Sequence, residues 1–271
     1  MITHKTILAC TRIRAPRGTG SGTILYSQPG VDAPDHSTYV LTNNHVIAEA
    51  VRHEMRWNNT IKRDVKTEVL ATVSVHLFRY KWEQRAESAT AIEADIMAYD
   101  KIEDLALLKL RAAAEAPSAV KLYPQNKERE LAVCRQVVAV GAALGEAPII
   151  TVGYLSQFGQ EFEGREFWLQ TAPTIFGNSG GAVFLADTEE MIGVPALIAV
   201  NQGDAITQMS YMIPITRVYK FLEEQRFRFI YDEDFTEQGE ADERERMRKQ
   251  DETKLAIKEV AGEQERTERP R

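Results

Sequence analysis

The sequence predicts an all-β chain, a barrel or a sandwich, closed by one helix and followed by a charged tail. Three observations carry this. Short runs of β-branched and apolar residues recur from residue 6 to residue 213, separated by turns that bear glycine, proline or asparagine. A helical pattern is sustained only near Val218, Phe221 and Leu222. Beyond Tyr231 the composition shifts to Glu, Arg, Lys and Gln, with sparse apolar residues at Met247, Leu255, Ile257 and Val260.

The first expected strands, 6–14 and 22–27, are joined by Pro16-Arg17-Gly18-Thr19-Gly20-Ser21-Gly22, whose glycines permit a tight bend. The segment lacks the Lys-Ser/Thr of a phosphate loop and no helical pattern follows it, so it reads as a hairpin. Pro29 to Ser37 is a polar loop. Tyr39 to Thr42 is a strand that Asn43-Asn44 breaks just before His45, and Val46 to Val51 can form one or two helical turns. Residues 52–67 are polar and basic and read as an exposed loop. In Val69 to Phe78, Thr72, Ser74 and His76 alternate with Val73, Val75 and Leu77, the period of a strand. That alternation makes His76 a polar-face residue. Tyr80 to Thr90 reads as a surface excursion, and the strands Ile92–Tyr99 and Leu105–Leu110 are divided by residues 100–104.

Ala112 to Gln125, with Pro117 and Pro124, links two halves. The second half repeats the short-strand habit at 136–140, 149–154, 167–171, 182–185, 195–201 and 209–213. Thr216 to Gln225 is the helix, with Thr216 as its cap. The domain boundaries expected are 1–115 and 116–231 for the two halves and 232–271 for the tail, as a solvated helix, a partner-binding helix or a disordered segment.

The 271 residues are 44% hydrophobic, enough for a buried core. The net charge is -7, and residues 232–271 hold 14 Asp/Glu against 9 Lys/Arg, so five of those seven charges belong to the tail. A nearly neutral body argues against a nucleic-acid partner, which needs concentrated Lys and Arg. No apolar run approaches a membrane span, so no membrane association is expected. Cys10 and Cys134 are the only cysteines. Two cannot build the multi-bridge framework of a small secreted domain, and the apolar run before Cys10 is too short for a signal sequence. A cytoplasmic or virus- or phage-associated location is the resulting expectation.

The chemistry lies in three segments. Phe176-Gly177-Asn178-Ser179-Gly180-Gly181 sets a serine among glycines, Thr42-Asn43-Asn44-His45-Val46 ends a strand with a histidine, and Glu103-Asp104-Leu105-Ala106-Leu107-Leu108 opens one with an aspartate. A serine hydroxyl needs a base within reach and donors for the negative oxygen that its attack creates. His45 is the candidate base and Ser179 the nucleophile. Asp104 orients the ring; Asp95 and Asp100 are the alternatives. The amides of Gly177 and Ser179 are the candidate oxyanion hole. With His and Asp in the first half and Ser in the second, the site suits a cleft between two halves.

These three segments resemble the signature segments of chymotrypsin-fold (trypsin-like) serine proteases, nearest the HtrA/Deg-like peptidases. Gly20-Ser21-Gly22-Thr23-Ile24 resembles the glycine hairpin before the histidine strand, and Tyr211-Met212-Ile213-Pro214-Ile215 the last barrel strand, so the resemblance spans about residues 6–226. It implies two antiparallel six-stranded β-barrels, serine endopeptidase activity on polypeptide substrates, and no cofactor or metal. It also implies that Ile198-Ala199-Val200-Asn201 pairs with substrate backbone, and that Thr174, Ile175, Phe176, Asn201, Gln202, Gly203, Ser210 and Met212 wall the specificity pocket. The pocket-base segment 171–176 has no acid, which disfavours Lys or Arg and favours a small or medium apolar side chain. The chain departs from the family in three ways: one residue fewer before Gly177, an insertion over 52–90, and a charged tail where a PDZ domain is expected.

The alternative function is a latent or inactive protease-fold scaffold that uses the tail for a protein partner or self-association. An α/β-hydrolase esterase is excluded by order, because its nucleophile precedes its acid and histidine.

Overall fold

The structure, a computed structural model, describes residues 4–16, 18–30, 36–58, 62–82, 85–112 and 115–250. It separates into two compact units, Met1–Phe221 and Leu222–Arg271.

The first unit opens with a short helix, α1 (His4–Leu8), and strand β1 (Cys10–Arg14). The expected strand over 6–14 therefore begins only at Cys10. Next come β2 (Thr19–Pro29), β3 (His36–Thr42), the one-turn helix α2 (Asn44–Ile47), β4 (Val51–Asn58), β5 (Arg63–Leu70), β6 (Val73–Lys81), β7 (Arg85–Asp100) and β8 (Leu105–Leu110). Six of these close an antiparallel barrel in the order β1-β2-β3-β8-β7-β6. Ile13, Ile24, Val40, Val75, Ile96 and Leu108 fill it, with Val46 and Ile47 of α2 in the same cluster. Since strand side chains alternate between faces, each of the six strand residues is the inward member of its strand.

Two readings of this half are corrected. Residues 52–67 are no loop: β4 and β5 pair in continuous register from Val51↔Leu70 to Asn58↔Arg63 as a separate two-stranded ribbon. Val51, Met55 and Trp57 alternate with Arg52, Glu54 and Arg56, but Met55 and Trp57 are exposed and the charged residues between them give the segment the composition of a loop. The excursion at 80–90 is the end of the long β6–β7 hairpin, with Tyr80 opposite Ala86.

The second half contains β9 (Lys121–Leu122), β10 (Gln136–Gly141), β11 (Ile149–Phe162), β12 (Arg165–Gln170), β13 (Ala182–Leu185), β14 (Glu190–Asn201) and β15 (Asp204–Pro214). The order β13-β10-β11-β12-β15-β14 returns on itself through β13–β14 pairing, and β9 adds a two-residue parallel pairing with β14. This is the second six-stranded antiparallel ring. Several strands run beyond their expected ends because β-bulges carry them through breaks in the apolar pattern, as between Pro195 and Leu197. The helix α3 (Ile215–Glu224) follows, one residue from where its pattern places it, with Val218, Tyr219 and Phe221 buried.

Taken by itself, the second unit includes a helix over residues 237–250. Its Glu240 carboxylate is buried and accepts from Arg228 Nη2 at 2.6 Å and Nε at 2.9 Å, while Arg244 stacks over Phe227 at 4.0 Å. Within the expected tail the described helix covers 237–250, and residues 251–271 lie outside the described residues.

Two glycines of β11 and its turn make a test of backbone freedom against space. Gly164 (φ +72) lies in the turn to β12 with nothing near a built Cβ, whereas a Cβ on Gly153 would sit 2.0 Å from the Ala172 nitrogen. Gly164→Ala should cost about 1–2 kcal/mol, the left-handed penalty of an L residue. Gly153→Ala should cost clearly more, because backbone must move. Urea unfolding of both variants checks the order.

Candidate active site

Asn43 is the N-cap of α2, yet its side chain makes no cap bond to the helix. The cap comes from another strand. Asp104, at the mouth of β8, accepts the His45 main-chain N–H on Oδ1 at 2.9 Å and His45 Nδ1–H on Oδ2 at 2.8 Å. A carboxylate at the start of a helix satisfies an amide with no intrahelical partner, and here the same group fixes the ring. Asn43 Nδ2 turns instead to the Asp104 carbonyl, at 2.8 Å. Asp104 has φ +53, a left-handed backbone uncommon for a residue with a Cβ.

The rejected partners have other work. Asp95 pairs with Arg111 at 2.7 Å, and Asp100 Oδ1 accepts the Ile102 and Glu103 amides at 2.7 and 2.9 Å. Of the three aspartates, Asp104 is the one hydrogen-bonded to His45. His76 lies between Arg12 Nη2 and Ser74 Oγ, with burial and then the nearby Arg12 and Arg14 holding its pKa below the usual value.

Ser179 comes from the β12–β13 connection. Ile175 to Asn178 forms a turn closed by Asn178 N–H to the Ile175 carbonyl at 3.0 Å, and Asn178 Oδ1 accepts the Ile175 amide at 3.1 Å. Gly177 (φ +98) is required twice over: a Cβ there would meet the Ala142 oxygen and the Leu144 nitrogen at 2.6 Å. The Leu144 N–H binds the Phe176 carbonyl at 2.8 Å. In a planar trans peptide the N–H points opposite the carbonyl, so the Gly177 N–H faces away from Leu144. The amides of Gly177 and Ser179 have no acceptor among the described residues.

One cleft, with a cavity of about 380 Å³, is lined by His45, Thr174, Ile175, Phe176, Asn178, Ser179, Pro195 to Ile198 and Val200. His45 and Ser179 share it, though their side chains are not hydrogen-bonded to each other. Of the expected pocket residues, Thr174, Ile175 and Phe176 line it. Ser210 lies behind Thr174, its Oγ 2.5 Å from Thr174 Oγ1, and Met212 is buried. Asn201, Gln202 and Gly203 are exposed at the β14–β15 turn, outside the lining, because both strands run on past the cleft. Pro195, Ala196 and Leu197 take their place.

Sequence reading passed over two supports. Buried Ser21 donates to the Gly177 carbonyl at 2.6 Å and accepts the Ala142 amide at 2.7 Å, and its own amide binds the Ser179 carbonyl at 2.8 Å. Its glycine neighbours, expected to bend a hairpin, instead lie inside β2 and allow close approach: a Cβ on Gly20 would meet the Val46 side chain at 2.6 Å. The second support is Glu103, whose carboxylate binds Arg217 Nε at 2.5 Å and Lys220 Nζ at 3.2 Å. Burial raises its pKa, but Arg217 and Lys220 outweigh that and leave it below the ordinary carboxylate value.

Residues 20–194 match the family model described as the trypsin-like peptidase domain. The chain belongs to that family. A probable periplasmic serine endoprotease, DegP-like, of Pseudomonas fulva is 29% identical over 76% of this chain and 34% of its own. The periplasmic pH-dependent serine endoprotease DegQ of Escherichia coli is 28% identical over 70% and 33%. The serine endoprotease DegS of Haemophilus influenzae is 29% identical over 48% and 38%. The chain thus spans about a third to two fifths of the length of these curated relatives. A solved HtrA-type protease with a tripeptide shares the fold of this trypsin-like peptidase domain, with a TM-score of 0.57 at 20% identity over 83% of this chain and 64% of its own. The expected cytoplasmic or virus-associated location is overturned by relatives named as periplasmic. Its basis, the short apolar run at the start, describes the residues in hand and not the compartment.

Because the folded-state pKa of Glu103 is depressed, its contribution to stability is fully present above the unfolded value, near 4.5, and is lost as pH falls through the folded value. Urea midpoints should therefore drop more steeply below pH 4.5 in the wild type than in Glu103→Gln.

Proposed function

We propose that this trypsin-like peptidase domain is a serine endopeptidase that cleaves peptide bonds through an acyl-enzyme. Ser179 is the nucleophile, His45 the general base, Asp104 the orienting residue, and the amides of Gly177 and Ser179 the oxyanion hole. The observation that carries the reading is that Asp104 holds His45 by both ring and main chain, while His45 and Ser179 line the same cleft.

With Nδ1–H donated to Asp104, His45 Nε2 keeps its lone pair and can take the Ser179 proton as Oγ attacks the substrate carbonyl. The imidazolium that forms is stabilised by the carboxylate across 2.8 Å. Negative charge that develops on the carbonyl oxygen finds two amide donors with no other acceptor, where each such donor contributes on the order of 3 kcal/mol to the transition state. His45 then gives its proton to the leaving amine, and water repeats the sequence on the acyl-enzyme.

Specificity follows from the walls. Ile175, Pro195, Ala196, Leu197, Ile198 and Val200 are apolar, and the two hydroxyls at the base, Thr174 and Ser210, are bound to each other. A small or medium apolar side chain on the acyl side of the scissile bond fits this lining. β14 meets β13 only through Met191 and Gly193, so its edge from Ala196 to Val200 is free for a substrate strand. The periplasmic names of two relatives favour that compartment for this chain as well.

A fluorophosphonate probe should label the wild type and leave Ser179→Ala unlabelled; equal labelling of both overturns the assignment. Asp104→Asn should lower kcat by roughly three to four orders of magnitude with the fold intact. On a mixed peptide library, cleavage should follow Ala, Val or a residue of similar size, and a profile dominated by Lys or Arg would contradict the pocket reading.

A further inference from the structure

We propose that Arg217 and Glu103 are positioning residues for Asp104, with Arg217 fixing the peptide plane that precedes it. The inference rests on the serine-endopeptidase reading and adds to it a pair of residues that touch neither substrate nor the reacting atoms.

The two torsions of a residue are rotations of its flanking peptide planes about its Cα. Each plane beside Asp104 is held from outside the residue. The Glu103 carbonyl, which belongs to the plane before Asp104, accepts Arg217 Nη2 at 3.0 Å. The Asp104 carbonyl, which belongs to the plane after it, accepts Asn43 Nδ2 at 2.8 Å. Between these two grips the backbone stands at φ +53. A residue with a Cβ leaves that region when released, and the carboxylate would swing away from His45 with it.

Arg217 is itself fixed. Its Nε meets the Glu103 carboxylate at 2.5 Å and its Nη1 meets the Glu166 carbonyl on β12 at 2.9 Å, so all three guanidinium nitrogens are engaged. Lys220, one turn further along α3, adds a second cation to the same carboxylate at 3.2 Å. A neighbouring arginine, Arg165 of β12, holds the Ile102 carbonyl at 2.7 Å. The turn that delivers the aspartate of the first barrel is thus gripped by cations of the second half. The planar fork of an arginine reaches the Glu103 carboxylate and two carbonyls from three separate nitrogens, whereas a lysine has one nitrogen and cannot span all three positions.

The test is Arg217→Lys in two backgrounds. In the wild type kcat should fall about tenfold with KM within twofold. With Asp104→Asn already present, the same change should alter the residual kcat by less than twofold, since its effect passes through that carboxylate. A substitution that merely loosened the fold would lower activity in both backgrounds, and that result, or an unchanged kcat in the wild type, overturns the proposal. Thermal melting of each variant checks folding, and Glu103→Gln, which keeps the carbonyl and one oxygen acceptor, should lose kcat by about threefold. Proton NMR gives a readout free of turnover. The downfield His45 Nδ1–H resonance expected of the wild type should broaden or vanish in Arg217→Lys, and its persistence unchanged refutes the brace. Failure of Ser179-dependent labelling in the wild type would instead defeat the endopeptidase reading.

Discussion

The pair of hydrogen bonds that Asp104 accepts from His45 is the constraint on which the rest of the site depends. One carboxylate serves as cap for α2 and as partner for the ring, so the helix start, the ring orientation and the β8 entrance are fixed together. A ring held only by its side-chain nitrogen could rotate with the main chain. Held also at its amide, it moves only if the strand moves, and β8 is buried at Leu105, Ala106, Leu107 and Leu108. The dense first barrel therefore supplies rigidity to a ring that is itself half exposed.

The Ser179 loop is fixed by the opposite logic. It has few side chains of its own to pack, and backbone contacts stand in for them. Ser21 ties the Gly177 carbonyl and the Ala142 amide, and the Ser21 amide takes the Ser179 carbonyl. Such contacts need main chains to approach closely, which is why a Cβ on Gly20, Gly177, Gly180 or Gly181 would collide with a neighbour. The glycines around the serine are there for distance as much as for torsion.

Most of the barrel framework was legible because inward residues of a closed sheet alternate, as Val73, Val75 and Ile96 do on strands of the first barrel. In β4 and β5 the period of two is present, but its few apolar residues stand among charged ones, so the composition of a loop masks it. His45, Asp104 and Ser179 stood out as candidates because each lies next to an apolar run, beside residues that bend the chain. Ser21, Asn43 and Arg217 did not, since each acts through a carbonyl or amide that belongs to another residue. Asn201 to Gly203 fall outside the cleft lining because β14 and β15 stay paired to the tip of their hairpin, from Ala199↔Ile206 to Asn201↔Asp204, and so carry the turn past the cleft.

The two cysteines lie in contrasting surroundings, Cys134 exposed and Cys10 in the core of β1, where burial pushes the thiol up to about 12. A thiol reacts as the thiolate, so an alkylating reagent meets Cys134 at once and Cys10 only when the first barrel opens. The chain thus carries an internal clock for barrel opening, read as the delay between the first and second mass increments, and it keeps time without any substrate in the cleft.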